Sequence, residues 1–216
     1  PAMRICEIFR SIQGEGLQMG LPTVFVRAVG CNLCCSWCDT GYSFEGGREM
    51  SVDDILEEVG DCPRVCLTGG EPLLQSDAVE LMERLLSMGK AIDLETNGSV
   101  DLSTVPKDPR VLISMDWKCP LSGSTGSMLE SNLDLLGRKD QLKFVIGDEG
   151  DLDYAVDFVR GRGLDSRTNV IFGPVGGTVN LERLVDRVLE EHLDVRVLPQ
   201  LHKIIWGNRT GVRGHM

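Results

Sequence analysis

Apolar residues recur along the chain with two periods, and their alternation predicts the fold. Short runs rich in β-branched residues indicate strands at 4–12, 23–29, 64–67, 91–94, 111–114, 141–146, 169–172 and 194–198. Apolar residues at three- and four-residue spacing predict four helices. The first begins at Ser51 and the second runs from Ser76 to Gly89. The third carries an apolar stripe of Leu152, Ala155, Val156 and Val159, and the fourth a stripe of Leu181, Leu184, Val185, Val188 and Leu189. Strands that alternate with helices predict parallel βαβ units, in a full or partial α/β barrel or an open sheet. The residues after 198 are expected to form a polar tail.

Composition and charge narrow the class of protein. No linker or repeat interrupts the pattern, so we expect residues 1–216 to form one domain. A formal net charge of −11 argues against a nucleic-acid partner, which needs a basic face on the protein. No apolar run approaches the ~20 residues that span a bilayer, and no signal segment is visible at the N-terminus. We therefore expect a cytoplasmic protein with neither a membrane nor a nucleic acid as partner.

Four of the eight cysteines lie between positions 31 and 38, and their spacing predicts a metal site. Cys31, Cys35 and Cys38 place three thiolates on one short loop, and thiolate is a soft ligand that suits zinc and iron–sulfur clusters. A structural zinc site takes four ligands, so three thiolates favour a four-iron cluster with one iron left open. A non-catalytic zinc scaffold remains the alternative. Cys34 is expected not to be a ligand, because adjacent side chains diverge.

Two motifs resemble those of the radical S-adenosylmethionine (SAM) superfamily. The first is the spacing of Cys31, Cys35 and Cys38, with Trp37 before the last cysteine, and the second is the segment 68–72, Thr-Gly-Gly-Glu-Pro. The resemblance implies a partial (β/α) barrel of the radical SAM type. It also implies a 4Fe–4S cluster whose open iron binds SAM and yields a 5′-deoxyadenosyl radical, so no protein side chain is the catalyst. Glu71 is expected to accept a hydrogen bond from the amino group of SAM.

Further segments resemble the 7-carboxy-7-deazaguanine synthase family, namely residues 11–16, Arg27, residues 38–40 and residues 201–203. That resemblance implies conversion of 6-carboxy-5,6,7,8-tetrahydropterin to 7-carboxy-7-deazaguanine with loss of ammonia. The product would serve queuosine or archaeosine, which the residues do not distinguish. The resemblance also implies Mg²⁺ beside the substrate, a homodimer and a flavodoxin-like reductant. An enzyme that activates a glycyl-radical enzyme is the rival, but it has no use for a pterin-binding Arg27.

The resemblance assigns roles by position. The cluster ligands are Cys31, Cys35 and Cys38, Mg²⁺ binds Thr40, and the substrate contacts are Ile12, Gln13, Gly14, Arg27, Thr68 and His202. The SAM contacts are Trp37, Cys38, Asp39, Gly70, Ser114, Met115, Asp116, Gly173, Pro174, Val175 and Gly176. Further candidates are Glu95, Asn97 and Lys118 near SAM or the substrate, and Arg209 or Arg213 for the substrate carboxylate. A guanidinium fork matches a carboxylate, and a hydroxyl oxygen suits Mg²⁺.

Overall fold

A nine-stranded sheet runs through the part of the chain that the computed structural model describes, residues 2–176 and 179–207. The strands are β1 (Met3–Ile12), β2 (Pro22–Ala28), β3 (Arg48–Met50), β4 (Arg64–Gly69), β5 (Ala91–Thr96), β6 (Val111–Trp117), β7 (Gln141–Ile146), β8 (Asn169–Pro174) and β9 (Val195–Val197). Their order across the sheet is β3-β1-β2-β4-β5-β6-β7-β8-β9. β2 and β4 to β9 are parallel, whereas β1 is antiparallel to β2 and β3. Since β3 and β9 lie at opposite edges, the sheet does not close, and the predicted partial barrel is confirmed.

Five α-helices are found in the described residues: α1 (Val52–Val59), α2 (Ala78–Ser87), α3 (Glu149–Arg162), α4 (Leu181–Glu190) and α5 (Leu201–Trp206). α1 begins as predicted, because the Ser51 hydroxyl accepts from the Asp54 N–H and the Asp54 carboxylate accepts from the Ser51 N–H. The prediction of a polar tail is wrong for 201–206, which form α5. The single helical turn is too short to show a helical period, and no residue of it is buried. The three-residue strand β3 was also missed.

Residues alternate along the parallel strands between an apolar face, which packs against α1 to α4, and a polar face. In β6, Ile113 and Met115 belong to the apolar core, whereas Ser114 and Asp116 form polar contacts. The buried polar residues of β5, β6 and β7 include Asp93, Ser114, Gln141 and Lys143. Parallel strands are usually apolar on both faces. The polar face therefore indicates where a ligand site lies.

The helices cover the apolar face as the periodicity predicted, except at the edge of the sheet. The predicted stripe of α3 is buried: Leu152, Ala155, Val156 and Val159. In α4, Leu184 and Val188 are buried, but Val185 and Leu189 are 40% and 66% exposed. α4 packs mainly against β8 and β9, the last two strands, so a narrower stripe is covered. None of the helices in the described residues is long and apolar enough to cross a membrane. The extent of the domain, 1–216, stays a prediction.

Candidate active site

A cavity of about 720 Å³ opens on the polar face of the sheet, at the carboxyl ends of the parallel strands. Ligands bind at this end in α/β barrels. Of the predicted site residues that the structure describes, all line its wall except Glu71, Ser114, Met115 and Gly173. The structure thus brings the predicted cluster, substrate and SAM residues together in one cavity.

The three predicted cluster ligands are the cysteines of the cavity wall. All eight cysteines are free and within the described residues, and only Cys31, Cys35 and Cys38 line the cavity. Each sulfur has hydrogen-bonding neighbours: Leu33 N and Asn97 Nδ2 for Cys31 at 3.4 and 3.6 Å, Ser124 Oγ for Cys35 at 3.6 Å, and Thr40 Oγ1 for Cys38 at 3.6 Å. The two N–H groups at Cys31 can donate to a thiolate, the form in which cysteine binds iron. Burial raises the pKa of Cys31, and Cys35 Sγ is itself the donor to Ser124 Oγ. Cys34 is exposed and lies outside the wall.

The segment 68–72 packs directly on the cysteine loop. A Cβ atom on Gly70 would lie 2.1 Å from the carbonyl oxygen of Gly30 and 2.9 Å from Cys31 Cβ, so only glycine fits there. The Glu71 N–H also donates to the Gly30 carbonyl oxygen at 2.8 Å. The glycine therefore allows the two predicted motifs to meet as backbones in van der Waals contact, beside the first cluster cysteine.

Glu71 itself does not reach the cavity, so it does not fit the expected role of binding the amino group of SAM. Its carboxylate is fully buried and accepts from the Thr96 hydroxyl at 3.0 Å and from the Asn97 N–H at 2.7 Å. Burial raises the pKa of Glu71, although these hydrogen bonds act in the opposite direction. The carboxylate instead fixes the end of β5, and with it the Asn97 side chain that donates to Cys31.

The predicted carboxylate partner, Arg27, is anchored in the cavity wall. Its side chain is 13% exposed, and its Nε donates to Glu7 Oε1 at 2.9 Å. The Tyr42 hydroxyl donates to the same carboxylate at 2.9 Å. Burial alone would lower the pKa of Arg27, but Tyr42 and Glu7 outweigh it and raise the pKa. The cavity therefore holds a permanently charged guanidinium, which can pair with a substrate carboxylate.

Gln13 lies at the floor of the cavity among acidic residues. Its side-chain N–H₂ donates to Asp93 at 2.8 Å and to Glu95 at 3.4 Å, and the Thr68 hydroxyl donates to Glu95 at 2.7 Å. Cys66, Asp93 and Glu95 are close enough to suggest a metal group, but the Gln13 nitrogen lies among them, 3.7 Å from Cys66 Sγ. Burial and the nearby Glu95 raise the pKa of Asp93 to about 7. Asp93 and Glu95 thus hold the Gln13 side chain in place through hydrogen bonds.

His202 reaches the cavity from α5 and packs on Gly14. A Cβ atom on Gly14 would lie 2.1 Å from His202 Nδ1, so glycine is required for this packing. The Leu201 N–H donates to the Gly14 carbonyl oxygen at 2.8 Å. These contacts join two predicted substrate residues that lie far apart in the sequence. Arg209 and Arg213 lie outside the described residues.

The predicted SAM residues Trp37, Asp39, Gly70 and Asp116 line the same cavity. Lys118 Nζ lies 5.1 Å from the centre of the Trp37 ring and 2.8 Å from Asp116 Oδ2. The Trp37 indole Nε1 is buried and has no hydrogen-bond partner within residues 2–176 and 179–207. A buried donor without a partner costs free energy, so this wall suits a ligand that accepts a hydrogen bond. On the same side, Lys203 Nζ lies 3.7 Å from Asp39 Oδ2.

Three predicted SAM residues are not brought to the cavity wall. The Ser114 hydroxyl is buried beneath it and donates to Asp93 Oδ1 at 2.5 Å. Met115 is fully buried in the apolar core, because neighbouring residues of a strand point to opposite faces. Gly173 lines a smaller pocket behind the cavity. For Met115, the period of two in β6 was a signal that the positional assignment did not use. Ser114 shares the polar face with Asp116 but lies further from the carboxyl end of the strand.

Glu15 and Lys143 are among the residues of the cavity wall that were not predicted as contacts. Lys143 Nζ lies 2.6 Å from Glu15 Oε2 and 3.3 Å from Asp116 Oδ1. Burial alone would raise the pKa of Asp116, but Lys118 and Lys143 outweigh it and lower the pKa to about 2. The polar residues that alternate with apolar ones in β7 could have indicated Lys143. Nothing local in the sequence pairs it with Glu15.

Comparison with known folds defines the class of protein. Residues 25–116 match the Radical SAM superfamily. The crystal structure of QueE from Escherichia coli superposes with a TM-score of 0.76 at 22% identity, covering 93% of this chain and 95% of that chain. Streptococcus suis SuiB bound to S-adenosylmethionine gives a TM-score of 0.58 at 15% identity, covering 79% and 48%. The fold and the three cysteines of the cavity together define a radical SAM enzyme.

Sequence relatives are more specific. The 7-carboxy-7-deazaguanine synthase of Thermoplasma acidophilum is 45% identical over 214 residues, which cover 97% of this chain and all of the relative. The synthases of Koribacter versatilis and Methanospirillum hungatei are 44% and 42% identical and cover 96% and 94% of this chain, and 99% and 85% of their own lengths. The chain belongs to the 7-carboxy-7-deazaguanine synthase family, which confirms the resemblance seen in the sequence. The zinc-scaffold and activating-enzyme alternatives do not agree with this membership.

Proposed function

We propose that this protein converts 6-carboxy-5,6,7,8-tetrahydropterin into 7-carboxy-7-deazaguanine with release of ammonia. The observation that carries the proposal is the single cavity in which three cysteines face an anchored arginine, a buried glutamine and a histidine. The names of the full-length relatives support the same product. The product then enters queuosine or archaeosine synthesis.

The donor set of the cavity fits a 4Fe–4S cluster and SAM. Cys31, Cys35 and Cys38 would hold the cluster, leaving one iron for SAM. Residues that would contact SAM are Trp37, Cys38, Asp39, Gly70, Asp116, Pro174, Val175 and Gly176, all of which line the cavity. The unpartnered indole N–H of Trp37 and the close packing at Gly70 support this assignment. Together, cluster and SAM supply a radical that removes a hydrogen atom from the substrate.

The rest of the cavity supports binding of a carboxylated pterin. Arg27 would pair with the carboxylate, and His202 would approach the same substrate from α5. The ring N–H groups of a pterin are donors, and the Glu95 carboxylate in the wall is an acceptor. Phe9 and Phe25 stack in the wall with ring centres 5.1 Å apart and offer apolar surface to a flat ring.

Magnesium is a separate part of the proposal. Thr40 lines the cavity next to Cys38 and would supply one hydroxyl oxygen. Mg²⁺ binds with few protein ligands when substrate oxygens and water complete its octahedron. We expect Thr40→Ala to raise the Mg²⁺ concentration needed for half-maximal turnover while the cluster content is unchanged. An unchanged requirement for Mg²⁺ would remove Thr40 from the site.

The cellular setting and partners are proposed from the family resemblance. The eight free cysteines support a reducing compartment, and we propose the cytoplasm. The net charge of −11 supports a small-molecule substrate rather than direct contact with a nucleic acid. A homodimer and a flavodoxin-like electron donor complete the proposal, and sedimentation equilibrium and reconstitution with a reduced flavodoxin test them.

The decisive test is an anaerobic assay with reduced protein, SAM, Mg²⁺ and 6-carboxytetrahydropterin. We expect 7-carboxy-7-deazaguanine, identified by mass spectrometry, in reactions that contain every component and in none that lacks SAM. If SAM is cleaved but no deazaguanine forms, the substrate assignment is wrong. One zinc per chain, with neither iron nor labile sulfide, would instead remove the radical chemistry.

A further inference from the structure

A row of charges of alternating sign, buried at Lys118 and Lys143 and partly buried at Asp116 and Glu15, lines the cavity. Lys118, Asp116, Lys143 and Glu15 are joined in that order by contacts of 2.8, 3.3 and 2.6 Å. The row ends at Gln200, whose side-chain N–H₂ donates to Glu15 Oε1. We call these five residues the charged row. Its members come from β6 and its end, β7, the loop after β1 and the residue before α5.

Glu15 is the member of the charged row that joins two substrate-binding segments. One carboxylate oxygen accepts from Lys143 and the other accepts from Gln200. Next to this bridge, the Leu201 N–H donates to Gly14 and the His202 ring packs on Gly14. Glu15 thus lies where the loop that carries Gln13 meets the segment that carries His202.

The position of α5 depends on such polar anchors. The helix is only six residues long and none of its residues is buried, so little apolar packing holds it. Its Ile204 and Ile205 are 67% and 46% exposed. The loop after β1 has a separate anchor, because the Leu17 N–H donates to Gln141 Oε1 of β7 at 2.8 Å. Loss of Glu15 would therefore loosen α5, which retains the Leu201 N–H bond to Gly14 and the Lys203 contact with Asp39, more than it would loosen the loop.

We infer that Glu15 is a positioning residue for the substrate, which holds His202 in the cavity through Gln200 while Lys143 holds Glu15. This inference rests on the proposed function, since His202 is a substrate contact only if the substrate is the carboxylated pterin. Glu15 need not touch the reacting atoms. Its effect on turnover is transmitted through the placement of α5.

The ionisation of Glu15 agrees with this role. Burial alone would raise the pKa of Glu15, but the Lys143 ammonium and the hydrogen bonds from Lys143 and Gln200 outweigh it and lower the pKa. An ionised carboxylate offers two acceptor oxygens, whereas a glutamine amide offers one. Glu15→Gln can therefore keep Lys143 or Gln200 as a donor but not both. Lys143 retains Asp116 as a counter-ion in that variant.

The test compares Glu15→Gln with the control Glu149→Gln, which breaks a surface ion pair with Arg183 away from the cavity. For Glu15→Gln we expect KM for the pterin to rise at least about tenfold, as for the loss of one charge-assisted hydrogen bond. We expect kcat and the KM for SAM to stay within about threefold of wild type. A KM for the pterin within about twofold of wild type would overturn the inference.

A second substitution provides the rescue. In Glu15→Gln/Gln200→Glu, the amide of residue 15 can donate to the new carboxylate while its carbonyl oxygen accepts from Lys143. Every hydrogen bond of the bridge is then available with the roles of residues 15 and 200 exchanged. We expect this double variant to recover most of the lost affinity for the pterin. A double variant no better than Glu15→Gln would contradict a role through Gln200.

Amide hydrogen exchange tests the link without any substrate. In Glu15→Gln the peptide that covers 201–206 should exchange faster than in wild type, whereas Glu149→Gln should leave it unchanged. Unchanged exchange in Glu15→Gln would overturn the link even if the enzyme makes deazaguanine. Conversely, if wild type makes no deazaguanine but exchange responds as expected, the proposed function fails and the anchoring by Glu15 stands.

Discussion

Replacing Asp93 by asparagine should remove a specific pH dependence of stability. The folded protein holds the pKa of this buried carboxyl at about 7, against 3.8 for the ordinary group. Between those values the unfolded chain releases the proton and the folded chain keeps it, so stability falls as pH rises and is level above about pH 7. At about 1.4 kcal/mol per pKa unit, the carboxyl costs about 4 kcal/mol at neutral pH and above. Asparagine does not titrate, so the stability of Asp93→Asn lacks this dependence on pH.

The size of the effect over an accessible range follows from the same pKa. Between about pH 5 and pH 8, wild type should lose about 2 to 3 kcal/mol of stability that Asp93→Asn does not lose. Asparagine can still accept from the Ser114 hydroxyl, but its N–H₂ group would face the Gln13 N–H₂ group that donates to Asp93. The variant should therefore be the less stable protein at low pH and should gain on wild type as the pH rises.

Anaerobic urea unfolding at matched cluster content measures this difference. Only differences between proteins are compared, so contributions from titrating groups that do not interact with Asp93 cancel, and the difference reports Asp93 together with its neighbour Glu95. Ser114→Ala is the control, because it removes a hydrogen bond to Asp93 but leaves the carboxyl. This hydrogen bond lowers the pKa of Asp93, so the control should keep the fall of stability with rising pH and extend it to higher pH. Parallel stability curves for wild type and Asp93→Asn would refute the reasoning and would mean that Asp93 ionises in the folded protein much as it does in the unfolded chain.

Three further predictions concern the cavity wall. Gly14→Ala places a Cβ 2.1 Å from His202 Nδ1, so we expect the free energy of unfolding to fall by about 1–3 kcal/mol and KM for the pterin to rise. When Gly14→Ala is combined with His202→Ala, KM should be little higher than in His202→Ala alone. Cys35→Ala should abolish iron and labile sulfide, whereas Cys34→Ala should leave both intact, and equal loss in the two would make Cys34 a ligand. Arg27→Lys should raise KM for the pterin about tenfold or more, because an ammonium lacks the fork that binds a carboxylate; an unchanged KM would place the carboxylate elsewhere.

Much of this architecture could be predicted from the sequence because its signals are local. β-branched runs marked eight of the nine strands, and the Ser51 cap marked the start of α1. The cysteine spacing falls within eight residues, so the fold had little freedom to separate the three thiols. Each polar motif follows a strand, and parallel strands end at one edge of the sheet, so the motifs had to meet there.

The contacts that could not be predicted are those that join distant segments. Gln200 and Glu15 are 185 residues apart, and nothing in the sequence around either residue indicates that the two side chains meet. Glu71 was misassigned for a related reason: its neighbours in sequence belong to the site, but its carboxylate turns inward toward Thr96. Position relative to a motif locates the backbone of a residue, whereas the direction of its side chain depends on packing with the rest of the fold.

The charged row is difficult to explain by stability alone. Buried ion pairs lose hydration that their mutual attraction only partly returns, and apolar replacements of similar volume are often neutral or stabilising. Val145, on the same strand and the same cavity wall as Lys143, shows that an apolar side chain is accommodated there. Charged groups at Lys143 and Glu15 have the advantage that their hydrogen bonds are directional. Such bonds fix the position of the partner side chain, whereas apolar contacts do not. A six-residue helix without buried residues requires such directional hydrogen bonds if His202 is to enter the cavity in one orientation.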